Sequence, residues 1–362
     1  MNRLRTAGAM LAAVLLAATG PAVAASAAST GASSPASANP LSLFPARPLP
    51  AHIFAPYFEG YTTDDPAVLS AESGDKYLTL AFIQTPAPGS CDIDWNGNTA
   101  TPIAYSTYGK SIAEIRAHGG DVIPSFGGAA ADYNGMEIAD SCTDVAKIAA
   151  DYEQVITTYN VTRLDFDVEG NSQSNYAGID RRNEAIALVE QWAAHHHRTV
   201  QFVYTLGTNV SGLDVPDGEY VLQSAVAHHA RIDIVNIMTF DYYDNQPHEM
   251  GKDTVTAATN VVDQLRTIYT HKTTEQLWHM IGITEMAGID DFGPPEVFTT
   301  ADGTYVENWA AQTGIAELSF WALERDNGNC VGTAGADDCS GVAQTTWQFS
   351  QEFQPFNSWR PW

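Results

Sequence analysis

The chain has 362 residues and a formal net charge of −26, from 43 acidic and 17 basic side chains. A surface of that sign repels nucleic acid and anionic lipid, so neither is an expected partner. With 44% hydrophobic and only 17% charged residues, the sequence is ample for one large core.

The first segment in chain order reads as a secretory signal peptide over residues 1–24. Arg3 and Arg5 precede an apolar run from Met10 to Ala18, and Ala22, Val23 and Ala24 form a small-residue cleavage site. That run is too short to span a bilayer, and no later segment offers about 18 uninterrupted apolar residues. The expectation is export and release, with no membrane partner. Cleavage would remove two arginines and no acid, taking the charge from −26 to −28. Residues 25–48 are rich in Ala, Ser and Pro and read as a flexible linker.

From there to residue 362 the chain reads as one domain. Strand-like segments fall at 52–59, 76–84, 121–128, 162–170, 199–207, 232–243, 277–286 and 314–323. Helix-like segments lie between them at 109–119, 143–159, 180–196, 218–229 and 254–270. Strand and helix alternating in this way predict an α/β fold, a single (β/α)8 TIM barrel. A doubly wound open sheet is the alternative, but no GxGxxG follows the first strand and no Walker motif occurs.

Four cysteines in an exported chain suggest two disulfides. Cys330 and Cys339 would close a short loop, leaving Cys91 with Cys142. Neither a CxxC nor an HExxH pattern is present to suggest zinc. His195, His196 and His197 resemble a metal cluster, but they end a helix remote from the expected mouth, where cations suit the helix dipole. Asn160 begins a glycosylation sequon, but it directly precedes a buried strand, so it is discounted.

The most informative stretch is RLDFDVEG, Arg163 to Gly170. Strand side chains alternate, so Leu164, Phe166 and Val168 share one face and Asp165, Asp167 and Glu169 the other. The apolar face suits packing against helices. The acidic face would then point into the barrel, with Glu169 nearest the C-terminal mouth where barrel active sites sit. Neighbouring carboxyls there are roughly 6.5 to 7 Å apart at the backbone. Three ionised carboxylates would be unfavourable, so at least one proton should be shared and at least one pKa raised. A raised pKa is what a general acid needs at neutral pH. Ordinary glycosidases flank the scissile bond with two carboxyls, whereas this ladder presents its acids from one side. The nucleophile must then come from elsewhere, and a 2-acetamido group on a sugar can supply it.

With these residues the chain resembles glycoside hydrolase family 18, the chitinases and related enzymes. That family is a substrate-assisted exception to the two-carboxylate rule. Its DxxDxDxE signature is matched at Asp165, Asp167 and Glu169, with Thr162 at the first acidic position. Its SxGG motif appears as Ser125-Phe126-Gly127-Gly128, and its MxYD motif as Met238-Thr239-Phe240-Asp241, followed by Tyr242. Trp321 falls on strand eight, where the family carries a tryptophan under the sugar at the cleavage point. Phe240 replaces a tyrosine whose hydroxyl bonds the acetamido carbonyl, a contact that Tyr242 or Tyr243 could restore.

The resemblance implies a secreted, retaining chitinase that acts on chitin or chito-oligosaccharides as a monomer without metal or cofactor. Glu169 would be the general acid and then the base. Asp167 would hold the acetamido group and share a proton with Asp165, and Asp241 would support the intermediate. Ser125, Gly127, Gly128, Met238, Phe240, Tyr242 and Trp321 would form the substrate site. Strand-end aromatics Tyr57 and Phe58, together with Trp95 and Tyr243, are subsite candidates, and Glu285 could bind sugar hydroxyls at the rim. Only about 34 residues separate strands six and seven, so no α+β insertion deepens the groove, and a shallow cleft suited to endo cutting is expected. Two other readings share the fold: an endo-β-N-acetylglucosaminidase acting on N-glycan cores, and a barrel that binds chitin without cutting it.

Overall fold

Eight strands, each followed by a helix, make up the core of the computed structural model, which describes Leu41 and residues 45–358. The expected leader and most of the expected linker lie outside the described residues. The first strand, β1, comes in two pieces, Ile53–Phe54 and Tyr57–Glu59. The others are β2 (Tyr77–Gln84), β3 (Asp121–Gly127), β4 (Arg163–Val168), β5 (Gln201–Asn209), β6 (Ile234–Met238), β7 (Ile281–Met286) and β8 (Glu317–Trp321). The helices are α1 (Pro66–Ser73), α2 (Lys110–Ala117), α3 (Val145–Tyr159), α4 (Tyr176–His195), α5 (Asp217–Ala227), α6 (Met250–Ile268), α7 (Thr300–Thr313) and α8 (Gln348–Phe353).

Neighbouring strands pair in parallel from β2 through to β8. The ring closes at β1. Its first piece pairs with β8 through Ile53 and Glu317, and its second with β2 through Tyr57 and Thr79. The change of neighbour falls at Pro56, which has no N–H to give to a ladder. The Pro56 carbonyl still accepts from Thr79 N at 2.9 Å. This is the expected (β/α)8 barrel.

Two strand ends differ from expectation. The sixth strand stops at Met238, and residues 239–245 form a loop in which Asp241 and Tyr243 both have φ of 53°. The seventh begins only at Ile281, because Thr274–Trp278 form a helical turn. Thr273 and Gln276 cap that turn reciprocally, a local signal stronger than the strand propensity of the residues after it. Both expected disulfides are present, Cys91–Cys142 and Cys330–Cys339.

Strand parity partitions β4 as its sequence requires. Phe166 points outward against Tyr152 of α3, with ring centroids 5.0 Å apart, and beside Phe126 of β3 at 5.6 Å. Leu164 and Val168 are fully buried on the same face, and burial of such side chains contributes about 1.5–3 kcal/mol each. The inward face is polar. Near its base Arg163 pairs with Glu317 of β8 at 2.6 Å and also donates to Gln201. One layer up, Asp165, Ser125, Tyr57, Thr205, Asn236 and Thr284 are linked by hydrogen bonds.

So much buried acid sets the pH dependence of stability. Burial is the leading cause that pushes Glu59 up to about 9, Glu285 and Glu324 to about 8, and Glu317 and Glu352 to about 7. These folded-state values lie above the unfolded value of about 4.3. The folded chain therefore binds more protons, and stability is lost as pH rises through the folded values. The melting temperature, followed by circular dichroism, is expected to be highest near pH 5 and to fall steadily toward pH 9. A melting temperature that rises over that interval would contradict the burial of these acids.

Candidate active site

A cavity of about 990 Å³ opens at the C-terminal end of the barrel, lined by residues from strand ends and the loops that follow them. Asp167, Glu169, Asp214, Asp217, Asp241, Asp291 and Asp337 line it, and among the described residues no Lys, Arg or His does. A field of one sign over a low-dielectric floor opposes ionisation of every acid in it.

Below the floor, Asp165 is buried and accepts three hydrogen bonds. Ser125 Oγ donates to Oδ2 at 2.5 Å, Tyr57 Oη to Oδ2 at 3.0 Å, and Thr205 Oγ1 to Oδ1 at 2.7 Å. Burial raises its pKa, but these donors restrain the rise to about 6. Asp167 has no such help. It is buried, and its Oδ1 has no hydrogen-bond partner. Burial first, then the charges of Glu169, Asp165 and Asp132, holds its pKa well above the carboxylate range. Asp167 is therefore the member of the ladder that keeps its proton. Glu169 follows β4, partly exposed at the cavity floor. Burial of its carboxyl raises it to about 7, against a backbone N–H from Ala129 and with a smaller push from Asp291.

The SFGG segment belongs beneath the cavity rather than on its wall. Ser125 lies opposite Asp165 in register and Gly127 opposite Asp167. A Cβ on Gly127, where φ is 96°, would sit 2.1 Å from the Asp167 carbonyl oxygen. One on Gly128 would sit 2.5 Å from the Phe82 ring. None of the three lines the cavity, so their expected direct contact with substrate is corrected to support of Asp165, Asp167 and Phe82.

Tyr57, Phe82 and Trp321 form an aromatic wall of the cavity. Trp321 and Phe82 lie parallel, with centroids 5.6 Å apart and planes 9° apart, and Tyr57 packs against Trp321 at 5.7 Å. Met238 and Phe240 also line the cavity. Phe82 is missing from the expected set, although its place in β2, two residues from Gln84 on the same lining face, could have disclosed it.

The loop after β6 is tied down by acids that were not foreseen. Glu296 accepts from the Tyr242 and Tyr243 backbone N–H groups at 2.8 and 3.1 Å, and Asp290 from Asp241 N at 3.0 Å. Asp241 accepts from Phe292 N at 3.1 Å, and burial together with Asp290 and Asp291 raises it to about 7. Asp241, Asp290 and Glu296 offer oxygens within 4.8 Å of one another. Each already accepts backbone N–H groups, so loop anchoring accounts for them. Tyr242 borders the cavity, but its hydroxyl is buried without a partner on the side of Glu285 and Asp253. Tyr243 is exposed, and burial of its hydroxyl followed by the charge of Asp241 raises its pKa.

Three expected sugar contacts are corrected. Glu285 does not reach the rim. Thr284 and Met286 line the cavity, so Glu285 between them points outward, fully buried, and accepts from Thr254 of α6 at 2.7 Å. Trp95 is fully buried and donates to the Tyr159 hydroxyl at 2.9 Å. Phe58 lies in the core, edge-on to Tyr108. His195, His196 and His197 sit exposed where α4 ends, at the opposite end of the barrel from Glu169.

Inward carboxyls at the C-terminal mouth of a (β/α)8 barrel, beside an aromatic wall, give a site suited to general acid chemistry on a sugar ring. The chain belongs to the glycosyl hydrolases family 18, whose profile matches residues 53–326. It is 30% identical over 320 residues to the probable bifunctional chitinase/lysozyme of Escherichia coli (strain K12), covering 85% of this chain and 35% of that protein. It is 31% identical over 288 residues to endochitinase 11 of Metarhizium anisopliae, covering 76% of this chain and 53% of that protein. The chain thus spans about a third and about half of the length of these curated relatives. Among solved structures, the catalytic domain of a hyperthermophilic chitinase from Pyrococcus furiosus matches with a TM-score of 0.75 and 32% identity. That match covers 86% of this chain and 97% of the other.

The glycine contact gives a stability test. Gly127→Ala combines a positive φ with a 2.1 Å collision against backbone, and is expected to cost at least about 3 kcal/mol. Gly135→Ala shares a positive φ of 67° but meets nothing within 4 Å, so about 1–2 kcal/mol is expected. Urea unfolding of the two variants measures the difference, and equal costs would refute the close approach.

Proposed function

We propose that the chain is a secreted chitinase. It cleaves β-1,4 linkages between N-acetylglucosamine units with retention of configuration, using the substrate's acetamido group as nucleophile. The observation that carries this reading is Asp167, a buried carboxyl beside Glu169 that lines the cavity with one oxygen free of partners. A sugar acetamido N–H is the donor that such an oxygen lacks. After β6, two strands along from the ladder, Asp241 is raised to about 7 and tied to the Phe292 backbone, which makes it a poor nucleophile.

The steps follow from the proton positions. Glu169, neutral below about pH 7, gives its proton to the glycosidic oxygen as the C1–O bond breaks. The acetamido oxygen forms a bond to C1 from the opposite face, giving an oxazolinium whose N–H rests on Asp167. Glu169, now anionic, takes a proton from water as that water attacks C1 and reopens the ring. Two displacements at C1 return the original configuration. Trp321 would lie under the sugar ring at the cleavage point, and Asp241 with Tyr243 beside the acetamido group. Export is supported by the leader-like start and by two disulfides, which persist in oxidising surroundings.

Product analysis on chito-oligosaccharides tests the reading. Glu169→Gln is expected to lower kcat by about 10²–10⁴-fold while the fold is retained. For the native protein, kcat is expected to fall as pH rises past about 7, where Glu169 loses its proton. Binding of chitotetraose without turnover at any pH would leave a non-catalytic barrel. Turnover of N-glycan cores alone would favour the glycan-specific reading.

A further inference from the structure

Glu169 stands just beyond β4, where the strand ladder no longer holds the backbone. The peptide units on either side of Val168 are nevertheless gripped by the segment that follows β3. Gly128 N donates to the Asp167 carbonyl at 3.1 Å. The next free N–H, that of Glu169, donates to the Asp132 carboxyl through Oδ2. Asp132 lies on the short helix Ala129–Asn134 and is fully buried. Its other oxygen, Oδ1, is buried with no hydrogen-bond partner. It would stand 3.4 Å from a Cβ on Gly127, beside the contact with Asp167.

A buried carboxyl with one unpartnered oxygen is costly to maintain. An apolar side chain of the same size would avoid the cost of the unpartnered oxygen. What an apolar side chain cannot do is hold the Glu169 N–H. We propose that Asp132 is a positioning residue for the reaction: it fixes the backbone of Glu169 at the end of β4 and so aims the general acid at the glycosidic oxygen. This rests on the assignment of Glu169 as that acid.

The groups that face Asp132 fit this role. Glu169 and Asp167 face it from β4 and its end, Glu137 from the loop that follows its own helix, and Arg182 from α4. Arg182 is spoken for, because its guanidinium pairs with Glu137 at 2.7 Å. Burial, followed by the charge of Glu137, raises the Asp132 pKa well above the carboxylate range, although the Glu169 N–H opposes the rise. Burial and the acids around it thus oppose a full charge on Asp132 beside the general acid.

The test compares Asp132→Asn and Asp132→Leu with the native protein on chito-oligosaccharides, measuring kcat, KM and melting temperature. The native protein is measured first. If it turns over no substrate, it is the assignment of Glu169 that fails. With an active native protein, Asp132→Leu is expected to fold, to melt somewhat lower because the Glu169 N–H loses its acceptor, and to lose on the order of 100-fold in kcat, with KM little changed. Asp132→Asn keeps an acceptor for the Glu169 N–H and is expected to stay within about fivefold of native kcat. A folded leucine variant with near-native kcat would overturn the proposal. So would a folded asparagine variant as slow as the leucine one. If the leucine variant does not fold, the asparagine variant decides by the same fivefold limit, and KM rising in step with any fall in kcat would point to a structural role instead.

Discussion

Burying the Asp165 carboxylate without a cation beside it is the constraint on which the barrel interior turns. Arg163, at the base of β4, is already paired with Glu317. Asp165 must therefore be solvated by neutral donors. They come from three other strands, with Tyr57 on β1, Ser125 on β3 and Thr205 on β5. Each has to arrive at the right height, so the register of the barrel is tied to one carboxylate. A one-residue slip of β4 would put Phe166 among these donors and Asp165 against the helices.

Asp167 lies on the same inward face and is treated oppositely. Below it sits Asp165, which can be ionised because three hydroxyls serve it. Above it sits Glu169, and behind lies Asp132. With no donor and several acids around it, Asp167 holds a proton more firmly than either neighbour in the ladder. The cavity above adds further acids and, among the described residues, no Lys, Arg or His. Ionisation thus becomes harder from Asp165, which three hydroxyls serve, to Asp167, which has no donor, with Glu169 at the cavity floor raised to about 7. The aromatic wall of Tyr57, Phe82 and Trp321 closes one side and supplies an apolar face for a sugar ring.

Much of this was legible in the chain. Period-two alternation in RLDFDVEG assigned Asp165, Asp167 and Glu169 to the inward face and Leu164, Phe166 and Val168 to the outward one, and eight strand-like runs gave the barrel. With four cysteines and one obvious short loop, the disulfide pairs followed. The strand-end position of Glu285 suggests the rim, but parity with the cavity-lining Thr284 and Met286 turns it outward. Trp95 carries no such signal, because a loop aromatic looks the same in sequence whether it faces solvent or, as here, the core. Asp132, Asp290 and Glu296 carry no pattern at all. They act on backbone N–H groups of segments 37 to 54 residues away in the chain, and only the folded chain brings those together.

The chemistry of the ladder depends on where its protons reside. Neutron diffraction from perdeuterated crystals of the ligand-free protein at about pH 6.5 would show them directly. A deuterium on the Asp167 carboxyl, with Asp165 more ionised than protonated and flanked by deuterons donated from Ser125, Tyr57 and Thr205, is the predicted result. A bare Asp167 carboxylate beside a fully protonated Asp165 would contradict the account, because the three hydroxyl donors would then not be what sets the charge of the ladder.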